Sequence, residues 1–218
     1  MSTKLKNKDF FDTFLEDVLV ESTEIVPRSL FWRWLRDDYL IGNSGKRLKI
    51  WLPESISGDE LYTLCIVLKE IDMLDNVDIF ATSICQGNIN KAITGYFDTK
   101  KVEPSTENYK RFQGTKRFSD YYSENGAKPQ RDNSLIKYVT LNTINLLEDK
   151  LPVNMDLILF RNHFIYYNPS LQTKTLELLY NSLSIRGLMA IGIQETVGSS
   201  DKIKLHLLNE AENVYQKR

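Results

Sequence analysis

Leu157-Ile158-Leu159-Phe160 is an unbroken apolar run that stops at Arg161-Asn162, and Tyr166-Tyr167 follows one short step later. A buried strand that ends abruptly in polar groups delivers those groups to the carboxyl edge of a sheet. In open α/β sheets that edge is where ligands bind. The run therefore points to an α/β fold and makes Arg161, Asn162 and Tyr166 candidate site residues.

The segments around it keep the same grammar. Leu48, Ile50 and Leu52 alternate as a strand. Ser57-Gly58-Asp59-Glu60 then reads as a helix start, with acid at the positive end of the dipole, and Leu61, Leu64, Cys65, Leu68 and Ile71 continue the helix. Val77 to Thr82 is a second strand, with a helix after it near residues 89–94. This β-α-β-α order predicts a parallel sheet with helices on its faces. Further strands are predicted at 135–141, 155–160, 188–193 and 203–207, with residues 213–216 pairing on the last. Asn168-Pro169 predicts a capped helix running to about residue 183. Two helices precede the first strand, at 9–20 and 29–40, the second with Leu30, Phe31, Trp34 and Leu35 as its apolar stripe. Residues 97–134 break the rhythm. They are polar and aromatic, carry Gly114, Gly126 and Pro129, and read as a small insertion of short strands or hairpins.

Composition excludes several classes. A net charge of −1 argues against a nucleic-acid backbone as partner. No run approaches the ~20 apolar residues of a membrane span. The polar start, Met1 to Lys8, predicts no signal peptide, and the expected compartment is the cytoplasm. Two cysteines, Cys65 and Cys85, are expected reduced; with only two histidines, none suitably spaced, no metal is expected.

Several words in fixed order resemble the CheR-type chemotaxis methyltransferases. Arg161, Asn162, Ile165 and Tyr166 match R-N-x-x-I-Y. Trp51, Gly58, Glu60 and Tyr62 match W-S-A-G-C-S-T-G-E-E-P-Y, and Ala81-Thr82-Ser83-Ile84 follows A-T-D-I. Gly95-Tyr96, Asn145-Leu146, Gln172, and Gly187, Gly192 and Glu195 fall where the family has related words. The resemblance covers about residues 22 to 218. It implies a Rossmann-like class I methyltransferase fold, with helices over residues 1–45 and a methyltransferase domain over 46–218 carrying a β-subdomain at about 97–134. It implies S-adenosylmethionine as cofactor and protein glutamates as methyl acceptors. Glu60, Ser83, Asn145, Leu146 and Asn162 would then contact the cofactor, and Arg161 and Tyr166 would lie near the transferred methyl. In some members the insertion docks a receptor tail, which implies a chemoreceptor-like protein partner. Read singly, Glu60 also suits a helix start, Asn145 a turn cap and Arg161 a structural ion pair.

The chain departs from that pattern at the cofactor. Glu54 replaces a glycine of the turn after the first strand. Ser83 replaces an aspartate that accepts both ribose hydroxyls; one hydroxyl is no substitute for a bidentate carboxylate. Pro27 replaces an arginine near the methyl-transfer site, and the helical region before the sheet is short. These losses imply a degraded site and a non-catalytic binding or regulatory module; the alternative is an active protein-glutamate O-methyltransferase with a remodelled pocket.

Overall fold

The computed structural model describes residues 29–55, 57–124, 126–197 and 203–218. The helix predicted at 9–20 and the Pro27 substitution lie outside the described residues. The chain divides into two compact units. One holds the described residues up to Gly45 with Ser55–Asp75 and Cys85–Tyr138; the other holds Lys46–Glu54, Asn76–Ile84 and Val139–Arg218.

The second unit is a seven-stranded sheet. Its strands are β1 (Leu48–Leu52), β2 (Val77–Ser83), β5 (Val139–Thr143), β6 (Met155–Phe160), β7 (Leu183–Ile191), β8 (Leu205–Asn209) and β9 (Val214–Lys217), in the order β5-β2-β1-β6-β7-β9-β8. β5, β2, β1, β6 and β7 are parallel; β9 pairs antiparallel with β7, and β8 with β9. The parallel strands run outward from β1 in both directions, so the chain reverses its order between β1 and β6, the usual position of a ligand crevice.

The apolar run explains why β6 is central: Leu157, Ile158, Leu159 and Phe160 are all fully buried. Trp51, Ile158, Phe160, Met189 and Ile191 form a core with Leu176 and Leu179 of the helix α5 (Pro169–Ser182). Each such side chain contributes about 2 kcal/mol by leaving water. Asn168 caps α5 through Oδ1, which accepts the Leu171 N–H at 2.9 Å, and Pro169 opens the helix as its sequence predicts. β7 starts earlier than expected, at Leu183 rather than 188. The pairing with β6 shifts register between Met155 and Leu157, and Arg186 adopts φ 65°, so the strand passes through an irregularity instead of ending at it. A Cβ at Gly187 would stand 2.7 Å from the Met155 carbonyl oxygen, which is why only glycine passes there.

The first unit is mainly helical: α1 (Ser29–Trp34), α2 (Asp59–Glu70), α3 (Gln86–Thr94) and α4 (Val102–Phe112), with a hairpin of β3 (Tyr122–Ser123) and β4 (Gln130–Arg131). α1 runs on as a wider π-helical turn, Leu35–Leu40, whose i→i+5 bonding widens the turn enough that both Leu35 and Leu40 face the core. This corrects the predicted stripe, since Leu30 is exposed while Phe31 and Trp32 are fully buried. Within residues 97–134 the short hairpin of β3 and β4 accompanies a longer element, the helix α4. That helix forms because Ser105, Asn108, Tyr109 and Phe112 recur at helical spacing and are buried.

Two polar clusters fix this unit. Asp59, fully buried, pairs with the guanidinium of Arg131 and, at 2.9 Å, with Lys101 Nζ. Glu70 accepts from the hydroxyls of Tyr109, Tyr121 and Thr115 and, at 2.6 Å, from the Thr115 N–H. These bonds hold its carboxyl below the usual range against the opposing effect of burial. Cys65 and Cys85 are buried free thiols. Among the described residues, no helix is long and apolar enough to cross a membrane.

Arg131→Gln removes the main partner of a buried carboxylate and leaves it with Lys101 and the Ser57 hydroxyl. A loss of about 3 kcal/mol in unfolding free energy is expected, read from urea denaturation.

Candidate functional site

The parallel strands bring four loops to one edge in the order of the sheet: those after β5, β2, β1 and β6. Asn145, Ser83, Glu54 and Arg161 respectively belong to these ends, and the loop after β7, with Gly192 and Glu195, follows. Sequence positions scattered over a hundred residues thus become neighbours through strand pairing.

After β6 the backbone is tightly pinned. Asn162 is left-handed (φ 63°), a conformation asparagine tolerates. The buried carboxylate of Glu195 accepts the N–H groups of Asn162 at 2.9 Å, Gly192 at 2.5 Å and Ile165 at 3.3 Å. Asn213 Nδ2 donates to the carbonyls of Gly192 and Glu195, both at 2.7 Å. Gly192 leaves room for this, since a Cβ there would lie 2.8 Å from Glu195 Oε2. Gln172 Nε2 donates to the carbonyls of Phe164 and Tyr167, tying α5 to the same loop. Arg161 is buried, while Ile165 and Tyr166 are exposed, at 54% and 61%. His163 stacks on Phe160, and burial lowers its pKa to about 4, so its ring is neutral near pH 7.

After β5, the Asn145 N–H donates to Asp149 Oδ2 at 2.8 Å and its Oδ1 accepts the Leu147 N–H at 3.0 Å. This is the turn-capping reading of Asn145. Leu146 is buried in the core beside Trp51 and Phe160. Ser83 ends β2 fully buried. Glu60 is placed in the first turn of α2, in the helical unit.

Glu54 is the residue whose geometry the sequence did not foretell. It is left-handed, φ 56°, so the glycine-like turn persists without a glycine at a cost of about 1–2 kcal/mol. Its side chain crosses from the end of β1 to the end of β2, where Oε2 accepts the Ile84 N–H at 3.5 Å. The group is partly exposed yet deep enough that burial pushes its pKa up to about 7, the Ile84 bond opposing the rise. Burial, and then the charges of Glu54 and Glu195, raise the Tyr167 hydroxyl well above its ordinary value. The role of Glu195 also exceeded its sequence signal, a lone acid three residues beyond a glycine. Among the described residues, no group of three or more histidines, cysteines or acids could hold a metal.

A sheet reversing at β1/β6 with this polar carboxyl edge defines the Rossmann-like class of nucleotide-cofactor folds. The profile described as "CheR methyltransferase, SAM binding domain" matches residues 34–213. Cher3 of Pseudomonas putida is 31% identical over 153 residues, covering 70% of this chain and 56% of that protein. The chemotaxis protein methyltransferase of Vibrio anguillarum is 29% identical over 192 residues, covering 79% of this chain and 67% of that protein. That of Listeria monocytogenes is 24% identical over 207 residues, 94% of this chain and 76% of that one. The chain belongs to the CheR methyltransferase family, whose cofactor is S-adenosylmethionine. It spans little more than half the length of Cher3.

Two changes test the edge. Glu195→Gln puts an amide N–H among three N–H donors; a loss of about 2–4 kcal/mol is expected in denaturant unfolding, as for a buried charge-assisted acceptor. Glu54 has the opposite sign. Its folded pKa lies above the ordinary Glu value, so its ionised form penalises the native state. The penalty is absent below about pH 4, grows as pH rises through the interval up to the folded value, and is complete above about pH 7. Glu54→Gln is therefore expected to add on the order of 2 kcal/mol at pH 8 and almost nothing at pH 4, measured by urea unfolding at the two pH values.

Proposed function

We propose that the chain is a cofactor-binding but non-catalytic member of the family, a regulatory module of bacterial signalling. The observation that carries this reading is Tyr166. It matches the family position near the transferred methyl, yet it is 61% exposed. Methyl transfer from a sulfonium needs little acid–base help; it depends on positioning and on exclusion of water. A side chain standing in solvent contributes to neither.

Binding is a separate requirement, and the edge keeps means for it. Glu54 and Ser83 offer acceptors at the adjacent ends of β1 and β2, and Asn145 and Glu195 hold the flanking loops after β5 and β6. S-adenosylmethionine, when bound, would bring its own activated methyl; the residues of this edge would hold the nucleoside. The partner is proposed to be a chemoreceptor-like protein that meets the 97–134 insertion. Relatives named chemotaxis methyltransferases support this reading.

A second reading, an active protein-glutamate O-methyltransferase, is favoured by the order of the β6 loop. Glu195, Asn213 and Gln172 hold it as firmly as a working site would require.

One pair of assays separates the two. Calorimetric titration with S-adenosylhomocysteine is expected to show one-to-one micromolar binding. Incubation with methyl-labelled S-adenosylmethionine and glutamate-bearing receptor peptides is expected to transfer no label. Transfer that Tyr166→Phe or Arg161→Ala reduces would establish the enzyme instead.

A further inference from the structure

We propose that Glu54 is the acceptor for the ribose hydroxyls of the bound nucleoside, taking from the end of β1 the part that an acid at the end of β2 would otherwise play. The assignment rests on the cofactor-binding reading above and names the group that makes such binding possible despite Ser83.

The requirement is chemical. A vicinal diol offers two O–H donors on adjacent carbons, and a carboxylate offers two oxygens with about four acceptor sites between them. Nucleotide-binding sheets meet this diol with an acid at their carboxyl edge. The end of β2 has no acid: Ser83 is fully buried and brings one hydroxyl. The carboxylate nevertheless stands there, because Glu54 reaches the N–H of Ile84, the residue directly after Ser83. Two substitutions that look like separate losses in the sequence are thus one displacement of charge from β2 to β1.

Glu54 is also poorly explained as a structural group. Glu195 collects three backbone N–H groups, and Glu70 three hydroxyls and an N–H. Among the described residues Glu54 receives a single N–H, at the outer limit of hydrogen bonding. Among the described residues it makes no ion pair with a lysine or arginine. For so weak a bond the chain accepts a left-handed glutamate and a partly desolvated carboxylate. Backbone strain of this kind persists at ligand-binding positions, where a partner absent from the free protein completes the group. Two O–H donors would satisfy the oxygens that the protein leaves underused, and they are what a ribose presents.

The same carboxylate could instead act as a plug that keeps nucleosides off the edge, and the two roles predict opposite signs. The test titrates S-adenosylhomocysteine and its 2′-deoxy counterpart into wild type, Glu54→Gln, Glu54→Gly and Glu54→Gly/Ser83→Asp, with melting curves confirming each fold. Wild type is expected to lose about 10- to 100-fold in affinity when the 2′-hydroxyl is removed. Glu54→Gln is expected to lose a similar factor toward S-adenosylhomocysteine and little toward the deoxy ligand. Glu54→Gly should bind weakly, and adding Ser83→Asp should restore much of the affinity by returning the acid to β2. Equal losses for both ligands in Glu54→Gln would overturn the assignment while leaving cofactor binding intact. Tighter binding by Glu54→Gly would make Glu54 a plug and also overturn it. Failure of all four proteins to bind would overturn the cofactor-binding reading itself, and this assignment with it.

Discussion

Every parallel strand of this sheet ends in backbone groups that the ladder no longer pairs, and those ends are gathered at one edge. Unmet N–H groups near a protein interior cost about as much as a lost hydrogen bond each. The chain answers with side-chain acceptors drawn from the loops themselves. Glu195 takes three N–H groups and locks the ends of β6 and β7 together. Asn145 and Asp149 close the turn after β5. The edge is therefore a row of local caps, which fix the loops after β5, β6 and β7.

Glu54 departs from this economy. It spends stability twice, on a left-handed backbone and on a carboxyl whose pKa burial raises, and its long contact with the Ile84 N–H returns little. Groups that cost stability without structural return are found where function holds them. The contrast with Glu195, an acid on the same edge that is fully employed in structure, separates an acceptor that builds the site from one available to serve it.

Much of this was legible in the sequence. The apolar run at 157–160 gave away a buried strand; the alternation of strand and helix gave a parallel sheet; Asn168-Pro169 marked the start of α5 to the residue. These signals are local, and local chemistry was enough to decide them. What escaped was non-local. The π-helical turn after α1 depends on what Leu35 and Leu40 must both face. α4 hid within a polar, aromatic segment whose few buried residues at helical spacing are diluted by charge. At the site, Glu54 reads in the sequence as the loss of a turn glycine, because nothing in a linear sequence says that its carboxylate lands at the end of the neighbouring strand. Asn145 and Leu146 fell into line by family order, while their bonds and burial describe a turn cap and a core residue.

The shared carboxylate of Glu70 has a consequence for motion in the helical unit. Tyr109 lies in α4, Thr115 in the turn after it, and Tyr121 just before the hairpin, yet all three hydroxyls converge on one side chain of α2. None of them can swing away without stripping a donor from an acid that burial already disfavours. The insertion is thereby tied at three points to the carboxyl-terminal turn of α2. A protein that gripped this insertion would pull on that helix too, a mechanical link from the insertion to the framework of its own unit.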